Sequence, residues 1–268
     1  MSDHVVFIHS TGTGPFMWKR LMAGVPEGLP VVTPVNRGYA PHDLMPRGTA
    51  FEIPMDLAHV KQQLPTDTTG LHVVAHSYGG LLALQLALDP AVPVKSMWLY
   101  EPVMFGSMKA LAEQAPELLS APVMADLQGV FANTRLFDDL EAGGTDAWLE
   151  GFVDYWSGPG VWASMPEKVK DMNRAVGWKM FMEVRHQALL ERPVSDYRFE
   201  GPMTLLHGAL SPSPAQEMAR QLARVNPQAH VDVLDGLAHM SLITQADAVL
   251  PAFKAHWARV LPGGQAGQ

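Results

Sequence analysis

The sequence predicts an α/β protein with a mostly parallel sheet of about six strands flanked by helices, and three observations carry that prediction. Short β-branched runs alternate with helical patterns, the rhythm of parallel strands joined by crossover helices. The first run, Val5-Val6-Phe7-Ile8, is apolar at every position, as expected of a strand covered on both faces. The chain has 268 residues, 47% of them hydrophobic, which allows one large domain or one domain carrying an inserted subdomain.

After the first strand, further strands are expected at Val31 to Val35, Leu71 to Ala75, Ser96 to Tyr100, Met203 to His207 and Val231 to Leu234. Helical patterns separate them at Phe16 to Ala23, Met55 to Leu64, Tyr78 to Leu88, Pro214 to Val225 and Ala246 to Val260. The stretch Gly80-Leu81-Leu82-Ala83-Leu84-Gln85-Leu86-Ala87-Leu88 is apolar on nearly every face, so its helix is buried. The rhythm breaks between about Met104 and Tyr197, where strand signals vanish and helical stretches at Ala110 to Leu119 and Lys179 to Leu190 are punctuated by Gly and Pro. The expected organisation is a core of residues 1–103 and 199–268 with a helical cap or lid at 104–198; a pair of ordinary sheet-packing helices is the alternative. The tail Gly263 to Gln268 is expected to fray.

Composition removes several function classes. A net charge of -8 argues against sequence-independent binding of nucleic acid, which needs Lys and Arg to neutralise phosphates. No apolar run approaches the roughly 20 residues that cross a bilayer, and the N-terminus lacks the basic and small-residue features of a signal peptide. Without Cys there is no disulfide framework and no thiolate metal site. A soluble, cytoplasmic protein is the expectation, and neither metal nor cofactor is expected, because no H-E-x-x-H or nucleotide-binding glycine pattern occurs.

One segment carries chemistry. The strand Leu71 to Ala75 runs into His76-Ser77-Tyr78-Gly79-Gly80 and then directly into the buried helix. That is the strand–turn–helix setting of a nucleophile elbow, with Ala75 in place of the more usual first Gly. The turn is tight enough that the residues two before and two after Ser77 must be small. It lifts the hydroxyl to a helix N-terminus, where free N–H groups favour developing negative charge. A plain turn with a solvated serine is the competing reading.

With these residues in view, the chain resembles the α/β-hydrolase fold superfamily over nearly its whole length. The likeness rests on His9-Ser10-Thr11-Gly12-Thr13-Gly14, on Asn36-Arg37-Gly38-Tyr39, on the Ser77 elbow, and on Gly236-Leu237-Ala238-His239. The family usually has Gly at the position of Ser10 and often Asp at Asn36, neither a position that performs chemistry. By resemblance, the backbone N–H groups of Thr11 and Tyr78 form the oxyanion hole. His239, on a loop after the last strand, is the base. His76 is too close to Ser77 along the turn to face it, and His9 and His207 are expected to line or buttress the site.

The third catalytic member departs from the family's commonest pattern. Its acid usually follows the penultimate strand in a G-x-x-D pattern, and here that stretch reads Gly208-Ala209-Leu210-Ser211. Some branches, certain haloalkane dehalogenases among them, carry the acid one strand earlier, where this chain has Glu101. The order Ser77, Glu101, His239 then fits the fold. Asp235, a dyad helped by Ser211 or water, and a purely structural Glu101 paired with Arg37 or Arg185 remain alternatives.

The expected activity is a serine hydrolase working through an acyl-enzyme on a small apolar ester, lactone or other carbonyl compound. The same residues could run C–C bond hydrolysis, acyl transfer or lyase chemistry, and a non-catalytic ligand-binding receptor on this fold is the reading from another class. Trp156, Trp162, Met104 and Met182 are candidate pocket residues, since Met and Trp line adaptable apolar sites. They could equally form the insertion's own core, or a homodimer contact.

Overall fold

The strands are β1 (Ser2–Ile8), β2 (Val31–Val32), β3 (Thr68–His76), β4 (Val94–Tyr100), β5 (Met203–Gly208) and β6 (His230–Leu234). In the computed structural model, which describes residues 2–261, they form one all-parallel sheet in the order β2-β1-β3-β4-β5-β6. The tail Gly263 to Gln268 lies outside the described residues. β2 is shorter than its apolar run because Pro34, which has no N–H to give to a ladder, stands inside that run.

A 3₁₀ turn at Pro15–Trp18 and α1 (Lys19–Met22) replace the single helix expected there. α2 (Ile53–Gln62) follows, and α3 (Tyr78–Ala87) leaves the elbow with Tyr78 to Leu84 all buried, as its apolar sequence requires. Between β4 and β5 the chain is helical: α4 (Phe105–Gln114), α5 (Ala121–Ala132), α6 (Asp146–Ser157), α7 (Val161–Ser164) and α8 (Glu167–Leu189). α9 (Ser213–Val225), α10 (Ser241–Thr244) and α11 (Ala246–Val260) complete the chain.

Two of the inserted helices differ from their sequence patterns for local reasons. α4 starts five residues early and stops before Pro116, with Gly106 seated where a Cβ would come within 2.4 Å of the Leu190 carbonyl. α8 runs on through Gly177, which breaks nothing. It is a contact point, where a Cβ would meet the Gly144 carbonyl at 2.7 Å.

Strand alternation divides the core. Val6, Ile8, Val73, Ala75, Leu99 and Leu205 face one side and pack against α3, α9 and the inserted helices. Val5, Phe7, Val74, Trp98, Tyr100 and Leu206 face the other and pack against Trp18, Phe253 and Trp257. Trp148, Trp162, Met180 and Phe181 of the inserted helices join the first cluster, so that segment shares the core of the sheet instead of building one apart. Among the described residues, no helix is long and apolar enough to cross a membrane.

Candidate active site

β3 and β4 lie side by side and end level, with Ala75 beside Leu99 and His76 beside Tyr100. Each strand is followed by a residue in the left-handed region, Ser77 at φ 54° and Glu101 at φ 45°, the two non-glycine residues with positive φ among those described. Such backbone costs about 1–3 kcal/mol and persists only where its surroundings enforce it. Here the enforcement is visible. The Ser77 N–H donates to the Tyr100 carbonyl (3.1 Å), the Glu101 N–H to the Leu206 carbonyl (2.9 Å), and the Val103 N–H to the Ser77 carbonyl (3.2 Å). A Cβ on Gly79 would stand 2.3 Å from the Ile8 carbonyl oxygen, so the elbow needs glycine there.

The loop after β6 brings His239 to the same edge. It is pinned by the Tyr100 hydroxyl donating to the Ala238 carbonyl (2.8 Å), by the Leu210 N–H donating to the Leu237 carbonyl (2.9 Å), and by the Ala238 N–H donating to Ser241 Oγ (2.9 Å). His239 Nε2 lies 3.1 Å from Ser77 Oγ, and His239 Nδ1 lies 2.6 Å from Glu101 Oε2. All three side chains are buried. The other oxygen of Glu101 accepts the Gly208 N–H (2.7 Å) and the Ser211 hydroxyl (2.5 Å). Ser211 therefore stands against the carboxylate that occupies its neighbour strand. Asp235 is exposed and makes no contact with His239, and neither Arg37 nor Arg185 pairs with Glu101.

Thr11 and Tyr78 flank Ser77 in one cavity, and among the described residues neither backbone N–H has a hydrogen-bond acceptor. The Thr11 loop is tied by the Thr13 hydroxyl donating to the Ser10 carbonyl (2.8 Å) and by the Gly12 N–H donating to Tyr39 Oη (2.9 Å). His9 buttresses it from behind. Its Nε2 accepts the Asn36 N–H (3.0 Å), which leaves Nδ1–H to donate to the Ser10 carbonyl (2.9 Å), and burial lowers its pKa to about 4. His76 packs against His239 at 4.6 Å between ring centres; burial and the neighbouring imidazole hold its pKa well below the usual value, so it sits there uncharged. His207 is buried, with burial lowering its pKa, and does not line the cavity.

The cavity measures about 40 Å³, space for a few water molecules, and its wall is almost wholly apolar and aromatic: Phe105, Phe137, Phe152, Tyr155 and Trp156 among others. Among the described residues, no charged side chain lines it. Of the four residues put forward for a pocket, Trp156 lines it, while Met104, Trp162 and Met182 are buried in the core and do not. The methionines are drawn into the packing beneath the inserted helices, and the aromatic rings take the wall.

Sequence reasoning missed what Trp156 does. From α6 it stacks on the His239 imidazole, 3.8 Å between centres and 24° between planes. A ring so placed limits the rotation of the imidazole. Sequence reasoning missed, too, a buried ion cluster around Lys179. The spacing of Lys179 and Glu183, four apart on a helix, reads in sequence as an exposed ion pair, and nothing in the pattern signals its burial.

A family model described as the alpha/beta hydrolase family matches residues 5–252. A search of curated proteins finds no match. Among solved structures, the chain is similar to a hydrolase from Pseudomonas aeruginosa, at 17% identity and TM-score 0.63 over 97% of this chain and 90% of that one. It is similar to the enol-lactonase from Burkholderia xenovorans, at 17% identity and TM-score 0.58 over 98% and 92%. It is similar also to a thermophilic esterase from Thermogutta terrifontis, at 19% identity and TM-score 0.64 over 97% and 90%.

Proposed function

This chain belongs to the alpha/beta hydrolase family, and from that premise we propose that it is a serine hydrolase that cleaves a small neutral ester or lactone through an acyl-enzyme. The observation that carries the reading is the unbroken buried series Ser77–His239–Glu101 beside two N–H groups with no acceptor among the described residues. In the proposed sequence, His239 Nε2 takes the Ser77 proton as Oγ attacks the substrate carbonyl. Glu101 holds the Nδ1–H tautomer and stabilises the imidazolium. The Thr11 and Tyr78 N–H groups receive the oxyanion, each such donor being worth on the order of 3 kcal/mol. His239 then protonates the leaving oxygen, and water, activated by the same imidazole, releases the acid and restores Ser77.

The uncharged, aromatic wall supports a neutral substrate over a carboxylate or phosphate. The narrowness of the slot supports a short acyl group. In the same reading, residues 104–198 act as a cap whose α6 and α8 decide what reaches Ser77.

Labelling with a small fluorophosphonate, followed by mass spectrometry, tests the nucleophile. An adduct on Ser77, with acetyl and butyryl aryl esters turned over faster than decanoyl, is the expected result. Folded protein that takes no label at Ser77 would defeat the reading in favour of a non-catalytic binding protein.

A further inference from the structure

Behind the oxyanion hole lies a group of charges that the proposed chemistry does not use. Lys179 on α8 is fully buried. Its Nζ donates to Asp56 Oδ2 on α2 (2.6 Å) and to Glu183 Oε1, one turn on along α8 (2.5 Å). The rest of its ammonium faces aromatic rings, Phe51 at 4.2 Å, Tyr39 at 5.2 Å and Tyr78 at 5.5 Å to the centroids. Both carboxylates are themselves buried.

The outward connections of this cluster have a common destination. Asp56 Oδ2 also accepts the hydroxyl of Tyr78 (2.8 Å), the residue after the nucleophile. Glu183 Oε2 accepts the hydroxyl of Tyr39 (2.8 Å), and Tyr39 Oη in turn accepts the N–H of Gly12, the residue after Thr11. One carboxylate therefore holds each side of the oxyanion hole, and one lysine holds both carboxylates. The remaining oxygen of Asp56 accepts the Arg37 N–H (3.1 Å), which fixes the loop that carries Tyr39.

Stability alone is a poor reason for such an arrangement. Well-packed apolar residues in place of a buried ion cluster are often neutral or stabilising. Burial raises the pKa of Glu183 even though Lys179 pulls the other way, which shows that the site bears a desolvation cost.

We propose that Lys179, Asp56, Glu183 and Tyr39 are positioning residues that set the Thr11 and Tyr78 N–H groups, so that the oxyanion hole is correctly formed only when α8 is docked. The inference rests on the serine-hydrolase reading and adds to it a dependence on residues that touch neither substrate nor Ser77. Gly12 spends its own N–H on Tyr39, so the loop cannot turn to offer that donor in place of the Thr11 N–H, which has no acceptor among the described residues. Placement errors near 1 Å at such donors cost as much as a hundredfold in rate.

Tyr39→Phe tests this with the least disturbance, since it keeps the ring over Lys179 and deletes only the hydroxyl between Gly12 and Glu183. The expected result is a kcat at least tenfold lower with KM within about twofold. A parallel loss in affinity for an aryl trifluoromethyl ketone, which forms the tetrahedral adduct, should accompany a melting temperature changed by only a few degrees. Glu183→Gln, which preserves shape and can still accept one hydrogen bond, should fall between wild type and Tyr39→Phe on both readouts. If kcat and ketone affinity stay at wild-type values, or if only the melting temperature moves, the cluster is structural and the proposal fails. Fluorophosphonate labelling separates the two levels. Wild-type protein that never labels at Ser77 brings down the underlying reading and this one together, whereas a labelled wild type with an unaffected Tyr39→Phe brings down this one alone.

Discussion

Glu101→Gln is expected to lower kcat by three to four orders of magnitude while leaving the fold intact. In the native site Glu101 Oε1 accepts the Gly208 N–H and the Ser211 hydroxyl, and Oε2 accepts the Nδ1–H of His239. A glutamine keeps its single carbonyl oxygen on the two donors, so its NH₂ turns toward His239. Nδ1 must then accept, the ring proton moves to Nε2, and the nitrogen facing Ser77 can no longer take a proton. The comparable carboxylate-to-amide change in a serine protease triad costs about 10⁴ in kcat. Ser211→Ala should cost little, because the Gly208 N–H remains on the same oxygen, and Asp235→Asn should be silent because that side chain is exposed. Steady-state kinetics on an aryl acetate checks all three. Near-full turnover in Glu101→Gln would make the carboxylate structural and leave the dyad as the working unit.

The second large effect is on stability in acid. His9 and His256 are buried, and desolvation lowers their pKa values to about 4 and about 3. His9 cannot take a second proton without directing it at the Asn36 N–H that Nε2 now accepts. His256 Nδ1 lies 2.9 Å from the Thr204 hydroxyl, and Arg259, which donates to the same hydroxyl, adds its charge against protonation. Folded pKa values below the unfolded value of 6.5 mean that the unfolded chain binds more protons in between. The contribution is thus complete above pH 6.5 and drains away as pH falls toward 4 and 3. Each group is worth about 3 kcal/mol by pH 4, against a typical total of about 5–15. The urea midpoint should be flat above pH 7 and drop steeply between pH 6.5 and 4. His256→Gln should flatten that limb, and a midpoint unchanged from pH 7 to 4.5 in the wild type would contradict the account.

The fold was open to sequence reading because its signals are local. Apolar strand runs, the buried helix after Ser77 and the small residues at Ala75 and Gly79 each report a backbone demand that neighbours along the chain cannot hide. The candidate triad was readable for a similar reason, since Ser77, Glu101 and His239 all stand at strand-end turns. The inserted segment was not readable in the same way. Its helices start where Pro122 and Pro166 permit, and they are seated by close contacts of Gly106 with Leu190 and of Gly177 with Gly144, which join residues far apart in sequence. The pocket suffered most: a methionine that lines a cavity and one that fills the core beneath it look alike until the neighbouring helices are placed.

The position of Trp156 and Lys179 has a bearing on attempts to recombine this protein. Both side chains belong to the stretch between β4 and β5, an insertion that invites exchange as a block. Cutting it out would strip the ring from the His239 imidazole and the ammonium from Asp56, so the remaining sheet would not keep the surroundings of Ser77, Glu101 and His239 described above. A donor segment would have to bring an aromatic residue and a lysine in register with the acceptor. That requirement makes this segment a poor unit of exchange.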